Sequence, residues 1–132
     1  MDGDIDAADY HDVKELLLIE GLQDWIQLGE IHADFGYGNR TPKRPAAEAQ
    51  QLTLTMIREL VTEGLFVLGV PDKNAPSGFK TWDLPLDDAM AKIEHRYVAN
   101  FEDRWNWVTC AWLALTDKGK ALALQLYHAG DA

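Results

Sequence analysis

Trp112-Leu-Ala-Leu-Thr-Asp-Lys-Gly-Lys-Ala-Leu122 changes periodicity part-way along its length. Upstream of Thr116, the residues Trp105, Trp107, Thr109, Ala111, Leu113 and Leu115 alternate with Asn106, Val108, Cys110, Trp112 and Ala114. Both alternating sets are largely apolar, so residues 105–115 are expected as a single strand covered on both faces. Thr116 is placed to cap the helix that follows, from Lys118 through His128.

Working back from this junction, Leu86, Met90, Ile93 and Tyr97 recur at helical spacing, with Asp87 and Asp88 at the positive helix start. Residues 71–85 hold three prolines, Asn74 and Gly78, and predict an exposed excursion pinned by Phe79 and Trp82. Leu65-Phe-Val-Leu-Gly-Val70 is rich in β-branched and aromatic residues and reads as a strand. Before it, Ala49, Thr53, Met56 and Leu60 form a stripe, flanked by Ile57 and Val61, along a helix from Ala46 to Glu63 that Gly64 ends. Residues 36–45 carry two glycines and two prolines and are expected as a loop. Trp25 to Leu28 predicts a brief strand, and Leu28, Ile31 and Phe35 share one face of a short helix. The first helix is expected to be capped by Asp9 or Asp12 and to close at Gly21.

The order helix, short strand, helix, long helix, strand, excursion, helix, strand, helix resembles the winged-helix family. In that likeness Val13 to Asp24 is the first helix, Ala46 to Glu63 stands in the recognition position, and Leu65 to Val70 with Trp107 to Leu115 are the wing strands. The phrase Leu115-Thr116-x-x-Gly119 is similar to the junction that ends the wing in many bacterial winged-helix proteins. The likeness implies an α+β fold, helices packed on a small antiparallel sheet, with an extra helix inserted in the wing region.

At 132 residues and 47% hydrophobic content, one domain can bury a core without staples. Residues 1–8 are expected as a flexible acidic tail and residues 9–130 as the domain. The single cysteine, Cys110, cannot form an internal disulfide, and the first residues have neither the basic start nor the apolar run of a signal peptide. A cytoplasmic chain away from membranes is the expectation. The net charge of −10 is concentrated: residues 1 to 34 hold ten acids against Lys14, and the rest is nearly balanced. Such a front repels polyanions and speeds encounter with cations.

The pattern carries no catalytic or metal-binding constellation. Asp2, Asp4 and Asp6 suggest a calcium loop, but Ala7 and Val13 stand where glycine and glutamate are needed. His11, His32, His95 and His128 are far apart in sequence, with no zinc spacing. Ser77 and Cys110 lack an adjacent base, and Gly36-Tyr-Gly-Asn-Arg lacks the lysine of a phosphate loop. A non-enzymatic chain with no cofactor and no metal follows as an expectation.

Two binding functions remain. For DNA, Arg40, Lys43 and Arg44 precede the helix in the recognition position, Gln51 and Thr55 lie on it to read bases, and Lys73 and Lys80 add wing contacts. Against this, Glu48, Glu59 and Glu63 on that helix oppose phosphate. For protein, the acidic front offers Asp9, Asp12, Glu20, Asp24 and Asp34, and the proline-rich stretch offers Phe79 and Trp82. A looser resemblance runs the same way: Trp82-Asp-Leu-Pro, Ile93-Glu-His-Arg-Tyr and Trp112-Leu-Ala-Leu-Thr are similar to small bacterial immunity proteins. It implies blockade of a basic toxin or effector, the acids mimicking phosphate. The protein-binding, immunity-type function is the expectation, with a winged-helix DNA-binding regulator as the alternative and a homodimer through the last helix compatible with either.

Overall fold

The computed structural model describes residues 2–129; Met1 and residues 130–132 lie outside the described residues, as do the side chains of residues 2–6. The elements are α1 (Asp2–Gly21), β1 (Ile26–Gln27), α2 (Leu28–Gly36), β2 (Tyr37–Gly38), β3 (Thr41–Pro42), α3 (Ala46–Thr62), β4 (Phe66–Pro71), β5 (Phe79–Thr81), α4 (Leu86–Tyr97), α5 (Arg104–Trp107), β6 (Trp112–Leu115) and α6 (Asp117–Ala129). The fold is α+β, helices packed on a small antiparallel sheet of order β1-β6-β4-β5. Registers run Ile26↔Leu113 on one side of β6 and Phe66↔Leu115 through Gly69↔Trp112 on the other. The apolar stripes meet beneath it: Leu17 and Leu18 of α1, Ile31 and Phe35 of α2, Met56, Ile57 and Leu60 of α3 and Ile93 of α4 are all buried.

Three expectations are corrected. The strand expected over 105–115 is confined to Trp112–Leu115, and Arg104–Trp107 is a helical turn. The reason lies in α2, whose first N–H groups have no intrahelical acceptors. Leu28 N–H donates to the Ala111 carbonyl at 3.1 Å, continuing the β1–β6 register, whereas Gly29 N–H takes the Val108 carbonyl at 3.0 Å out of that register, so the chain before Ala111 turns out of the sheet to meet the helix start. The Trp107 indole N–H, donating to the Phe101 carbonyl at 2.8 Å, fastens the other end.

Second, the excursion contains β5, which pairs antiparallel with β4. Glycine permits it: a side chain on Gly69 would run into the Lys80 carbonyl. Third, α1 starts at Asp2, ahead of the Asp9 or Asp12 expected to cap it. Alanines at 7 and 8, which favour helix, suit that extension. The loop 36–45 folds into the β2–β3 hairpin, with positive φ at Asn39 and Arg40 (52° and 67°) as a two-residue turn demands.

Candidate functional site

The C-terminal end of α1, the turn after it and the outer side of α2 place four carboxylates within range of one another. Glu20, Asp24 and Glu30 line a shallow cavity of about 240 Å³ with Gln23, Trp25 and Ile26. Asp34 stands one helical turn beyond Glu30. Burial pushes the Glu20 carboxyl up. Burial, then the charges of Glu20 and Asp24, do the same to Glu30. For Asp34, burial and the charges of Glu20, Glu30 and Asp9 outweigh the attraction of Lys43 and raise the carboxyl to about 6. Its Oδ2 is buried with no hydrogen-bond partner among the described residues. An oxygen in that state is a charge short of a counter-ion.

Of the acids singled out from sequence, this surface unites Glu20, Asp24 and Asp34, and it adds Glu30, whose i, i+4 spacing to Asp34 was the signal available. Asp9 belongs elsewhere: its Oδ2 takes the Arg44 guanidinium at 2.6 Å and the Lys43 ammonium at 3.1 Å. Asp12 is exposed on α1. Phe79 is buried, its ring 5.2 Å from that of Trp25. Trp82 is half-buried with the Lys92 ammonium 4.4 Å above its ring. Phe79 anchors β5 against Trp25, and Trp82 ties the segment after β5 to α4.

The DNA candidates are dispersed. Arg44 is turned inward, its side chain 7% exposed, donating also to the Phe35 carbonyl at 2.9 Å. Arg40 occupies the β2–β3 turn, Lys73 an exposed turn, and Lys80 the exposed side of β5. Gln51 and Thr55 line a groove of about 670 Å³ between α3 and α4, whose opposite wall carries Met90 and Glu94. Arg58 in that groove is paired with Asp87 at 2.8 Å, and Glu59 and Glu63 both hold Lys14 at 2.7 Å. Helix α4 therefore stands beside the α3 face that carries Gln51 and Thr55.

A second polar-aromatic group was not foreseen. His32, buried at 8% exposure, bonds through Nδ1 to the Tyr97 hydroxyl and meets the Phe101 and Trp107 rings at 5.3 and 5.2 Å. The strand reading of residues 105–115 hid it, because it placed Trp105 beside Trp107 on one face. In the helical turn Trp107 is buried and Trp105 is 89% exposed. Among the described residues no group of three or more His, Cys, Asp or Glu is arranged to hold a metal ion. Burial pushes the Cys110 thiol up, which suits a packing role. No described helix is long and apolar enough to cross a membrane.

No protein-family model matches the chain, nor does any curated protein or solved structure.

Proposed function

We propose that this chain is a non-enzymatic protein-binding domain that docks and blocks a basic protein, as an immunity-type inhibitor does, using Glu20, Asp24, Glu30 and Asp34. The observation that carries the reading is the Asp34 carboxylate, held among like charges with one oxygen buried and unpartnered. A lysine or arginine from a partner, seated in the shallow cavity that Glu20, Asp24 and Glu30 line, neutralises the charges that crowd Asp34. The internal use of Arg44 and Lys43, and the position of α4 beside α3, speak against a DNA-reading role.

The element order and the β1-β6-β4 arrangement support a winged-helix core beneath this surface. The inserted β5, α4 and α5 replace the free wing that such a core would offer to DNA. The surface acts by occupying a cationic cleft and performs no reaction. A soluble chain in the cytoplasm fits this role, since the partner is then met where it would do harm.

The test is affinity capture from the source cell, with wild type compared to Glu20→Lys/Glu30→Lys, alongside titration of random duplex DNA at low salt. Capture of a basic protein, lost in the double variant and weakened by salt, supports the proposal. Salt-sensitive DNA binding that disappears on replacing Arg40 and Lys43 overturns it in favour of a regulator.

A further inference from the structure

A cavity of about 270 Å³ opens between α2 and α5, on residues of α2 other than the acidic pair Glu30 and Asp34. His32, Ala33, Tyr37, Phe101 and Trp107 contribute to its walls, and Arg104 lines it as well. The Phe101 and Trp107 rings are nearly parallel, 17° apart with centroids at 5.0 Å. The His32 ring is fixed by its Nδ1 bond to Tyr97, and Tyr97 is itself buried and held through its carbonyl by Gln50. No described group bonds His32 Nε2, and no described carboxylate pairs with Arg104. Burial, and then the charge of Arg104, push the imidazole pKa down, so that His32 is a neutral group at pH 7.

We propose that this cavity binds a small planar aromatic carboxylate, its ring against Phe101 and Trp107 and its charge on Arg104, with the His32 imidazole as a polar edge beside it. Aromatic walls favour a flat ring over a branched chain. The guanidinium rejects cations and matches a carboxylate through two parallel N–H donors. Pockets for drug-sized ligands start at about 300 Å³, so this one admits one or two fused rings. The inference is independent of the acidic surface, which prefers ligands of the opposite charge.

Calorimetric titration with indole-3-carboxylate, and with indole-3-carboxamide as the neutral counterpart, tests it on the full chain. Wild type is expected to bind the acid saturably and more tightly than the amide. Arg104→Gln, at an exposed position, weakens the acid about tenfold and leaves the amide unchanged. Ala33→Phe, an exposed substitution that fills the mouth, abolishes binding of both while the circular dichroism stays that of wild type. Equal binding of acid and amide, binding insensitive to Ala33→Phe, or no binding of either overturns the proposal. So does loss of a captured protein partner in Ala33→Phe without any binding of the acid, which makes the cavity an anchor site for that partner.

Discussion

Arg44 lies across α1 with its Nη1 2.6 Å from Asp9 Oδ2, and the same nitrogen donates to the Phe35 carbonyl at the end of α2. One guanidinium thereby ties the hairpin segment to two helices, and a residue suited by sequence to phosphate is spent on the fold. Burial pushes the Asp9 carboxyl up, but hydrogen bonds and charge from Arg44 and Lys43 outweigh it and hold it below the usual range.

Arg44→Gln is expected to cost about 1–3 kcal/mol, because it leaves the Phe35 carbonyl without this donor and the partly buried Asp9 carboxylate with Lys43 alone. Asp9→Asn costs less, since its side chain is 26% exposed and solvent screens the pair. The sign with pH follows from the lowered carboxyl. Its contribution is complete above the unfolded value of about 4 and is lost as pH falls through the folded one. Urea midpoints from pH 7 to pH 3 check this: the gap between wild type and Asp9→Asn should close below pH 4. A gap that persists there would contradict the ion-pair account.

Asp34 has the opposite sign. With its folded carboxyl raised to about 6 by burial and by Glu20, Glu30 and Asp9, the folded state binds the proton more tightly than the unfolded one. Stability from this group falls as pH rises from about 4 to 6. Asp34→Asn is expected to gain about 1–2 kcal/mol at pH 7, after allowance for screening, and little at pH 4. His32, whose pKa is lowered, contributes the reverse slope below about 6.5, so the difference between wild type and Asp34→Asn is the quantity to measure. Binding of a basic partner should weaken in wild type as pH drops from 7 to 5 and weaken less in Asp34→Asn, where only Glu20 and Glu30 keep raised carboxyls.

Helices with a 3.6-residue apolar stripe were legible in the sequence: α3 begins at Ala46 and ends within a residue of expectation, and α4 carries Met90, Ile93 and Tyr97 inward as their spacing required. Segments whose conformation is set by distant partners were not. Residues 105–115 alternate as a strand does, yet the Val108 carbonyl is drawn to the Gly29 N–H at the start of α2, far earlier in the chain. β5 is three residues long and depends on the absence of a side chain at Gly69. The acidic surface was half legible. Charge counting found Glu20, Asp24 and Asp34, but it could not separate them from Asp9, whose counter-ions come from the 36–45 segment.

Trp105 and Trp107 distinguish the helical turn from the strand, which would put both on one face. Trp107→Ala removes a buried indole and its bond to Phe101, and should cost about 3–5 kcal/mol. Trp105→Ala should stay within about 0.5 kcal/mol, as the ring is 89% exposed. Chemical denaturation of the two variants decides the matter, and comparable losses would restore the strand.

The Leu-Thr-x-x-Gly phrase has a physical basis at both of its named positions. Thr116 Oγ1 donates to the Gly64 carbonyl at 2.6 Å and accepts the Gly119 N–H at 3.0 Å, while its own N–H donates to the Leu65 carbonyl at 3.0 Å. One residue thus caps α6 and fastens it to the junction between α3 and β4. Gly119 lies against the same junction, where a methyl group would run into the Leu65 carbonyl. Thr116→Val keeps the shape and deletes the hydroxyl, and should cost about 1–2 kcal/mol, most of it restored by Thr116→Ser. Gly119→Ala should cost about 1–3 kcal/mol despite alanine's better helix propensity, because the atom it meets is backbone in a paired strand region and cannot step aside. If Gly119→Ala melts at or above the wild-type temperature, propensity has won, and the close approach of α6 to Leu65 is not what fixes the glycine.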